Sequence, residues 1–191
     1  MNKRLIILDR DGVINRLHPH GVASPEMWEA LPGSMEAIAR LCRADYRVVI
    51  ITNQSGIAKG LYSINTLNRI HRKMLDELQP TGGEISAIFF CPHGPEDGCE
   101  CRKPKPGLFL ELAERLQCDL REVYAVGDSI RDLEAARSAG AMPILVETGN
   151  GRDAAQTLRD GRGPLGDVPV YRDLAAFVAT LPASEARPAG G

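Results

Sequence analysis

Two aspartates stand two residues apart in Asp9-Arg10-Asp11-Gly12, directly after a short apolar run. Crowded carboxylates repel, and each tends to keep its proton unless a cation lies between them. More carboxylate follows in Gly127-Asp128-Ser129, with Asp132 four residues after Asp128. Magnesium suits such a set, because it takes a few protein oxygens, keeps several waters and binds substrate phosphate as well. The pattern predicts a magnesium site on Asp9, Asp11 and Asp128. Thr52-Asn53 and Arg102-Lys103 supply what a magnesium-held phosphate still needs. A hydroxyl, backbone N–H groups and an ammonium bind its remaining oxygens and offset the charge that builds during transfer. Taken singly these residues have plainer readings: a strand-ending turn for Asp-x-Asp, a solvated side chain for Lys103.

A second metal chemistry is written between residues 91 and 101. Cys91-Pro92-His93, then five residues, then Cys99-Glu100-Cys101 gives three thiolates and one imidazole. That set matches a closed tetrahedral zinc site with no open position for water, so the zinc is read as structural. It would stiffen a long loop and hold Arg102 and Lys103 toward the phosphate. The plain alternative is buried thiols beside an incidental histidine. Cys42 falls on a helical apolar stripe and is assigned to the core, and Cys118 is given no role.

Alternating strand-like and helical segments must position these groups. Apolar or β-branched runs at 4–8, 48–52, 85–90, 123–126, 143–146 and 168–171 read as strands, most of them buried on both faces. Helical spacing occupies 34–44, a stretch capped by Ser63, a stretch opened by Pro106, and 131–139, which stops at Gly140. A last helix follows residue 171. In the helix after Ser63, the residues Ile64, Leu67, Ile70, Met74, Leu75 and Leu78 are expected inward. The pattern predicts an α/β fold with a doubly wound, mostly parallel sheet. Ligands in such folds bind beyond the carboxyl ends of the strands, which is where all four polar segments fall.

The chain has 191 residues, 43% of them apolar and 25% charged, with a net charge of −2. That is one domain, assigned to residues 1–182, with 183–191 read as a frayed tail. Near-neutral charge and the lack of an aromatic stacking platform argue against a nucleic-acid partner. No apolar run is long enough to span a bilayer and no secretory signal opens the chain, so a soluble, cytoplasmic monomer is expected.

With these residues in place, the sequence resembles the haloacid dehalogenase-like phosphatases over roughly residues 4–150. Asp9-Arg10-Asp11-Gly12 is similar to their first motif, Thr52 to the second, Lys103-Pro104 to the third, and Gly127-Asp128-Ser129 with Asp132 to the fourth. Val13 stands where many members carry Thr. The resemblance implies that Asp9 is the nucleophile that forms an aspartyl-phosphate. It likewise implies that Asp11 protonates the leaving alkoxide and then activates water, a task a raised pKa would help. A zinc loop before Arg-Lys-Pro resembles the histidinol-phosphate and heptose-bisphosphate phosphatases, and the stretch from Thr52 to Gly60 is similar to the heptose-bisphosphate side. This implies a small sugar bisphosphate substrate that loses its 7-phosphate and keeps its 1-phosphate, on the way to lipopolysaccharide heptose. His18, Thr52, Asn53, Gln54, Ser55, Arg102 and Lys103 would then contact substrate, with catalysis on Asp9, Asp11, Thr52 and Lys103. No gap between motifs is long enough for a cap domain, so an open rim is expected. Two other readings stand beside this one: a histidinol-phosphate phosphatase, and an inactive, zinc-stabilised interaction module on the same fold.

Overall fold

A computed structural model of the chain describes residues 4–161, 165 and 167–182. The tail expected at 183–191 lies outside the described residues.

Six strands form one parallel sheet: β1 (Arg4–Leu8), β2 (Tyr46–Asn53), β3 (Ala87–Cys91), β4 (Tyr124–Gly127), β5 (Met142–Val146) and β6 (Val170–Tyr171), in the spatial order β3-β2-β1-β4-β5-β6. Each neighbouring pair is parallel. The helices between them are α1 (Ser34–Arg43), α2 (Ile64–Leu78), α3 (Gly107–Leu116), α4 (Ile130–Ser138), α5 (Gly151–Arg159) and α6 (Leu174–Thr180).

The period-2 rule sorts the strand side chains into two cores. Ile6, Leu8, Val48 and Ile50 face one way and pack with Ile38 and Leu41 of α1, Ile70 and Met74 of α2, and Phe177 of α6. Ile7, Val49 and Ile51 face the other way, onto Leu108 and Leu112 of α3 and Ala135 and Ala136 of α4. Every one of these side chains is buried. At about 25 cal/mol per Å² of apolar area this two-faced burial is what holds the sheet together, and truncating a residue such as Ile38 to Ala is expected to cost about 2–5 kcal/mol.

Local chemistry explains the helix starts. Ser63 caps α2 by accepting from Thr66 N at 3.1 Å. Ser129 and Asp132 form a reciprocal capping box at α4, and Asp173 caps α6 by accepting from Ala176 N at 2.7 Å. Pro106 is the residue before α3 rather than its first turn.

The sequence expectations need three adjustments here. Ile64 is 49% exposed, because it opens α2 before the helix has turned onto the core. Cys42 is only partly buried: it packs on the core's margin and exchanges hydrogen bonds with Glu84 N and O at 3.3 and 3.4 Å. α5 has no counterpart in the apolar pattern, since its buried face is Gly151, Ala154 and Ala155. Val13 is fully buried in the core, so it shapes the first loop by packing.

Candidate active site

The strand order reverses direction between β1 and β4, the place where a doubly wound sheet opens a crevice. Asp9 leaves the end of β1 and its N–H donates to Val126 O of β4 at 2.9 Å. Asp128 leaves the end of β4. Their carboxylates, with that of Asp132, lie within 4.8 Å of one another. The groups from two distant stretches of chain therefore meet.

Lys103 is the cation among them. Its side chain is 3% exposed, with Nζ 3.0 Å from Asp9 Oδ1, 2.6 Å from Asp132 Oδ1 and donating to Ile51 O at 2.9 Å. Asn53 clamps the same residue from β2, its amide donating to Lys103 O at 3.1 Å and its Oδ1 accepting from Lys103 N at 3.2 Å. Asp132 is fully engaged: Oδ2 also accepts from Ser129 N and Oγ at 3.0 and 2.5 Å. Asp9 Oδ1, by contrast, is held by the Lys103 ammonium alone.

Burial, with help from its acidic neighbours, pushes Asp128 up to about 8 and Asp9 to about 6, Lys103 opposing both. Asp132 moves the other way: burial would raise it, but the Lys103 charge and hydrogen bonds outweigh that and hold it low. Two neighbouring carboxylates that resist ionisation are what a hard divalent cation would relieve. The donor set fits magnesium, with Asp9 and Asp128 as the residues free to hold it.

The loop geometry closes tightly on Asp128. Gly12 has φ of +84°, and a methyl group at Gly12 or Gly149 would run into the Asp128 carboxylate. Asn150 donates to Asp128 Oδ2 from its backbone at 2.8 Å and its amide at 3.3 Å. Thr148 Oγ1 donates to Gly12 O at 2.6 Å, tying the first loop to the last.

Asp11 occupies its own hydrogen-bonded place beside the cluster. Its carboxyl is not one of the three gathered acids. It accepts instead from Arg10 Nη2 at 3.0 and 2.8 Å, from Asn15 Nδ2 at 2.9 Å and from Gln54 Nε2 at 3.0 Å. Its pKa is lowered rather than raised: burial pushes it up, but the Arg10 charge and the hydrogen bonds from Asn15, Arg10 and Gln54 prevail. Among the carboxylates, Asp132 joins Asp9 and Asp128 in the cluster.

These groups line an open hollow of about 310 Å³ whose wall includes Asp9, Asp11, Thr52, Asn53, Gln54, Ser55, Arg102, Lys103 and Asp128. Leu17, His18 and His20 border it from the first loop, with His18 Nε2 3.0 Å from Met27 O. Thr52 is buried, its hydroxyl accepting from Gln54 Nε2 at 2.9 Å. Lys59, Tyr62, Arg131 and Asn150 also border the hollow and were not foreseen. Single polar residues in loops, or in the first turn of a helix as Arg131 is, carry no spacing signal that would have found them.

The sulfur cluster forms as the spacing predicts. Cys91, His93, Cys99 and Cys101 present one ligand atom each within 4.8 Å of one another. Their edges are 3.7 Å for Cys91–Cys99, 3.2 Å for Cys91–Cys101, 3.5 Å for Cys99–Cys101, and 3.7 and 3.2 Å from His93 Nδ1 to Cys91 and Cys101. A tetrahedron with Zn–S of about 2.3 Å has S···S edges of about 3.8 Å, so a zinc ion fits with a small outward breath. Without a cation, burial and the neighbouring sulfurs push Cys101 up to about 12. Arg102 Nη1 donates to His93 O at 3.1 Å, joining this loop to the hollow.

A family model described as HAD-hydrolase-like matches residues 100–174. The chain is 56% identical over 178 residues to the D-glycero-beta-D-manno-heptose-1,7-bisphosphate 7-phosphatase of Bordetella bronchiseptica, covering 93% of this chain and 97% of that protein. It is 44% identical to the protein of that name from Pseudomonas aeruginosa, covering 95% and 99%. A crystal structure of the D,D-heptose 1,7-bisphosphate phosphatase of B. bronchiseptica, complexed with magnesium and phosphate, matches with a TM-score of 0.87 at 54% identity, over 92% of this chain and 96% of that one. Fold, site geometry and sequence agree: the chain belongs to the haloacid dehalogenase-like hydrolases, in the family of the heptose-bisphosphate phosphatases.

Proposed function

We propose that the chain is a magnesium-dependent phosphatase that removes the 7-phosphate of D-glycero-D-manno-heptose 1,7-bisphosphate, in the supply of activated heptose for the lipopolysaccharide core. The observation that carries the chemistry is the meeting of the Asp9, Asp128 and Asp132 carboxylates at the crevice, with Lys103 paired to Asp9 and Asp132. The substrate follows the relatives' names.

Asp9 attacks phosphorus, the bond from phosphorus to the O7 oxygen breaks, and an aspartyl-phosphate forms. Asp9 needs alignment rather than a base once ionised, and Lys103 supplies part of that alignment. Asp11 gives its proton to the departing O7 alkoxide. An entering phosphate brings negative charge beside Asp11, which favours its protonated form. Asp11 then takes a proton from the water that attacks the aspartyl-phosphate, restoring Asp9 and releasing inorganic phosphate. Magnesium on Asp9 and Asp128, when bound, screens the charge between carboxylate and phosphate. Thr52 and the ammonium of Lys103 bind the transferring oxygens, and Arg102, with the 17–20 loop, faces the rest of the sugar phosphate.

Zinc on Cys91, His93, Cys99 and Cys101 is structural in this reading, since four protein ligands leave no open position. Among the described residues no helix is long and apolar enough to cross a membrane, and we place the protein in the cytoplasm as a monomer with no nucleic-acid partner. Phosphorus NMR on heptose 1,7-bisphosphate tests the proposal by showing which ester is lost. Release of the 7-phosphate with magnesium, its absence with chelator, and loss of turnover in Asp9→Asn are expected. Faster release from histidinol phosphate would favour the alternative substrate, and full turnover in Asp9→Asn would end the covalent mechanism. No release from either substrate would leave the inactive interaction module.

A further inference from the structure

Arg10 lies between the two aspartates in sequence, yet it is fully buried. Its charge sits beneath the site, facing Asp11 at 2.8 Å. Burying a guanidinium is unfavourable, and here the burial is not fully compensated, because Nε has no partner. Replacing a buried ion pair by packed apolar groups is often neutral or stabilising, so the burial of Arg10 is not explained by stability.

What the guanidinium touches is informative. Nη2 reaches both oxygens of Asp11 and Gln54 Oε1, the last at 3.2 Å. Nη1 lies 3.2 Å from His71 Nε2, on the buried face of α2. His71 is 7% exposed and does not border the hollow. Burial, and then the Arg10 charge, push His71 down to about 4, so its ring is neutral at pH 7 and Nε2 accepts from Arg10. Gln54 is fixed in turn by Tyr62, whose hydroxyl donates to Oε1 at 2.7 Å. Three donor nitrogens, Arg10 Nη2, Asn15 Nδ2 and Gln54 Nε2, thus hold the Asp11 carboxyl by both of its oxygens and restrain its rotation.

We propose that Arg10 and His71 are positioning residues for proton transfer at Asp11: His71 seats the buried guanidinium, and the guanidinium aims the Asp11 carboxyl at the leaving oxygen. The inference rests on the acid–base role given to Asp11 above. Neither residue touches substrate.

The test separates proton donation from everything else the site does. An alkoxide needs a proton in order to leave, whereas a nitrophenolate leaves without one. Single-turnover rates, enzyme in excess, are measured for heptose 1,7-bisphosphate and p-nitrophenyl phosphate in His71→Leu, His71→Gln and Arg10→Lys. In His71→Leu and Arg10→Lys the bisphosphate step is expected to slow roughly 10–10²-fold, up to the lower limit of the roughly 10²–10⁴-fold that general acid catalysis supplies, while nitrophenolate release stays within ~3-fold. His71→Gln, which keeps an acceptor, is expected to recover most of the bisphosphate rate. Parallel loss on both substrates, no loss on either, or failure of both His71→Leu and Arg10→Lys to fold would overturn the proposal. Asp11→Asn is the control for the parent reading. If it slows both substrates equally, the role of Asp11 is wrong; if it splits them and His71→Leu does not, only the positioning proposal falls.

Discussion

Replacing Lys103 by Met removes the side-chain cation paired with two of the three gathered acids. At an effective dielectric of about 20, a charge pair about 3 Å apart interacts by about 5 kcal/mol, and Lys103 makes two such pairs, to Asp9 and Asp132. Desolvation of the ammonium consumes much of this, and breaking a buried pair from one side is expected to destabilise by about 3–5 kcal/mol. The loss depends on pH with a definite sign. Lys103 holds Asp132 below its ordinary pKa, and a depressed carboxylate contributes stability above its unfolded value that disappears as pH falls. Without Lys103 the buried Asp132 can take up a proton, so the penalty is large at pH 8 and smaller at pH 5. Denaturant unfolding of the zinc-loaded protein without added magnesium, at both pH values, measures it. A penalty under about 1 kcal/mol at pH 8, or one that grows toward pH 5, would refute the assignment of Lys103 as the counter-ion.

Magnesium should stabilise the protein more as pH rises. Asp9 and Asp128 are raised to about 6 and about 8, so the metal-free fold is favoured at low pH and loses that advantage as pH climbs through those values. A magnesium-induced rise in Tm that increases between pH 5 and 8.5 is the expected result; a flat or falling one counts against Asp9 and Asp128 as ligands. Gly12→Ala is expected to destabilise by about 1–3 kcal/mol, through its positive φ and the collision with Asp128, and to weaken magnesium binding by titration calorimetry. Elemental analysis is expected to find about one zinc per chain in the parent protein and less in Cys101→Ser. A loss of about 2 kcal/mol there would lower Tm by about 4–8 °C at this chain length.

Much of the fold is legible in the sequence because its strands are fully buried and its helices carry large apolar side chains. β1 matches its apolar run at both ends, since an aspartate stops it abruptly. α5 is hidden for the opposite reason: glycine and alanine make its inner face, and Gly151 packs so closely on Val146 O that no larger residue fits. The gathering of Cys91, His93, Cys99 and Cys101 is legible because unusual residue types stand close together in sequence. The pairing of Asp132 with Lys103 is not, because Ser129-x-x-Asp132 reads fully as a helix cap and its second role needs a partner on another loop. Arg10 is the hardest case. Charged side chains in turns are ordinarily solvated, and only the three-dimensional neighbours His71 and Gln54 reveal that this one points inward.

The crevice is set by where two strands stop. Leu8 pairs with Val126, and the very next step of each ladder delivers the paired carboxylates a residue or two later. A strand counts in whole residues, and slipping β4 by one would turn its side chains to the opposite face and carry Asp128 about 3.3 Å along the chain. The rim loops, which carry no such ladder, can lengthen or change composition gradually. Evolution and engineering alike are therefore free to retune what the enzyme grips, while insertions or deletions inside the two central strands leave no partially competent intermediate.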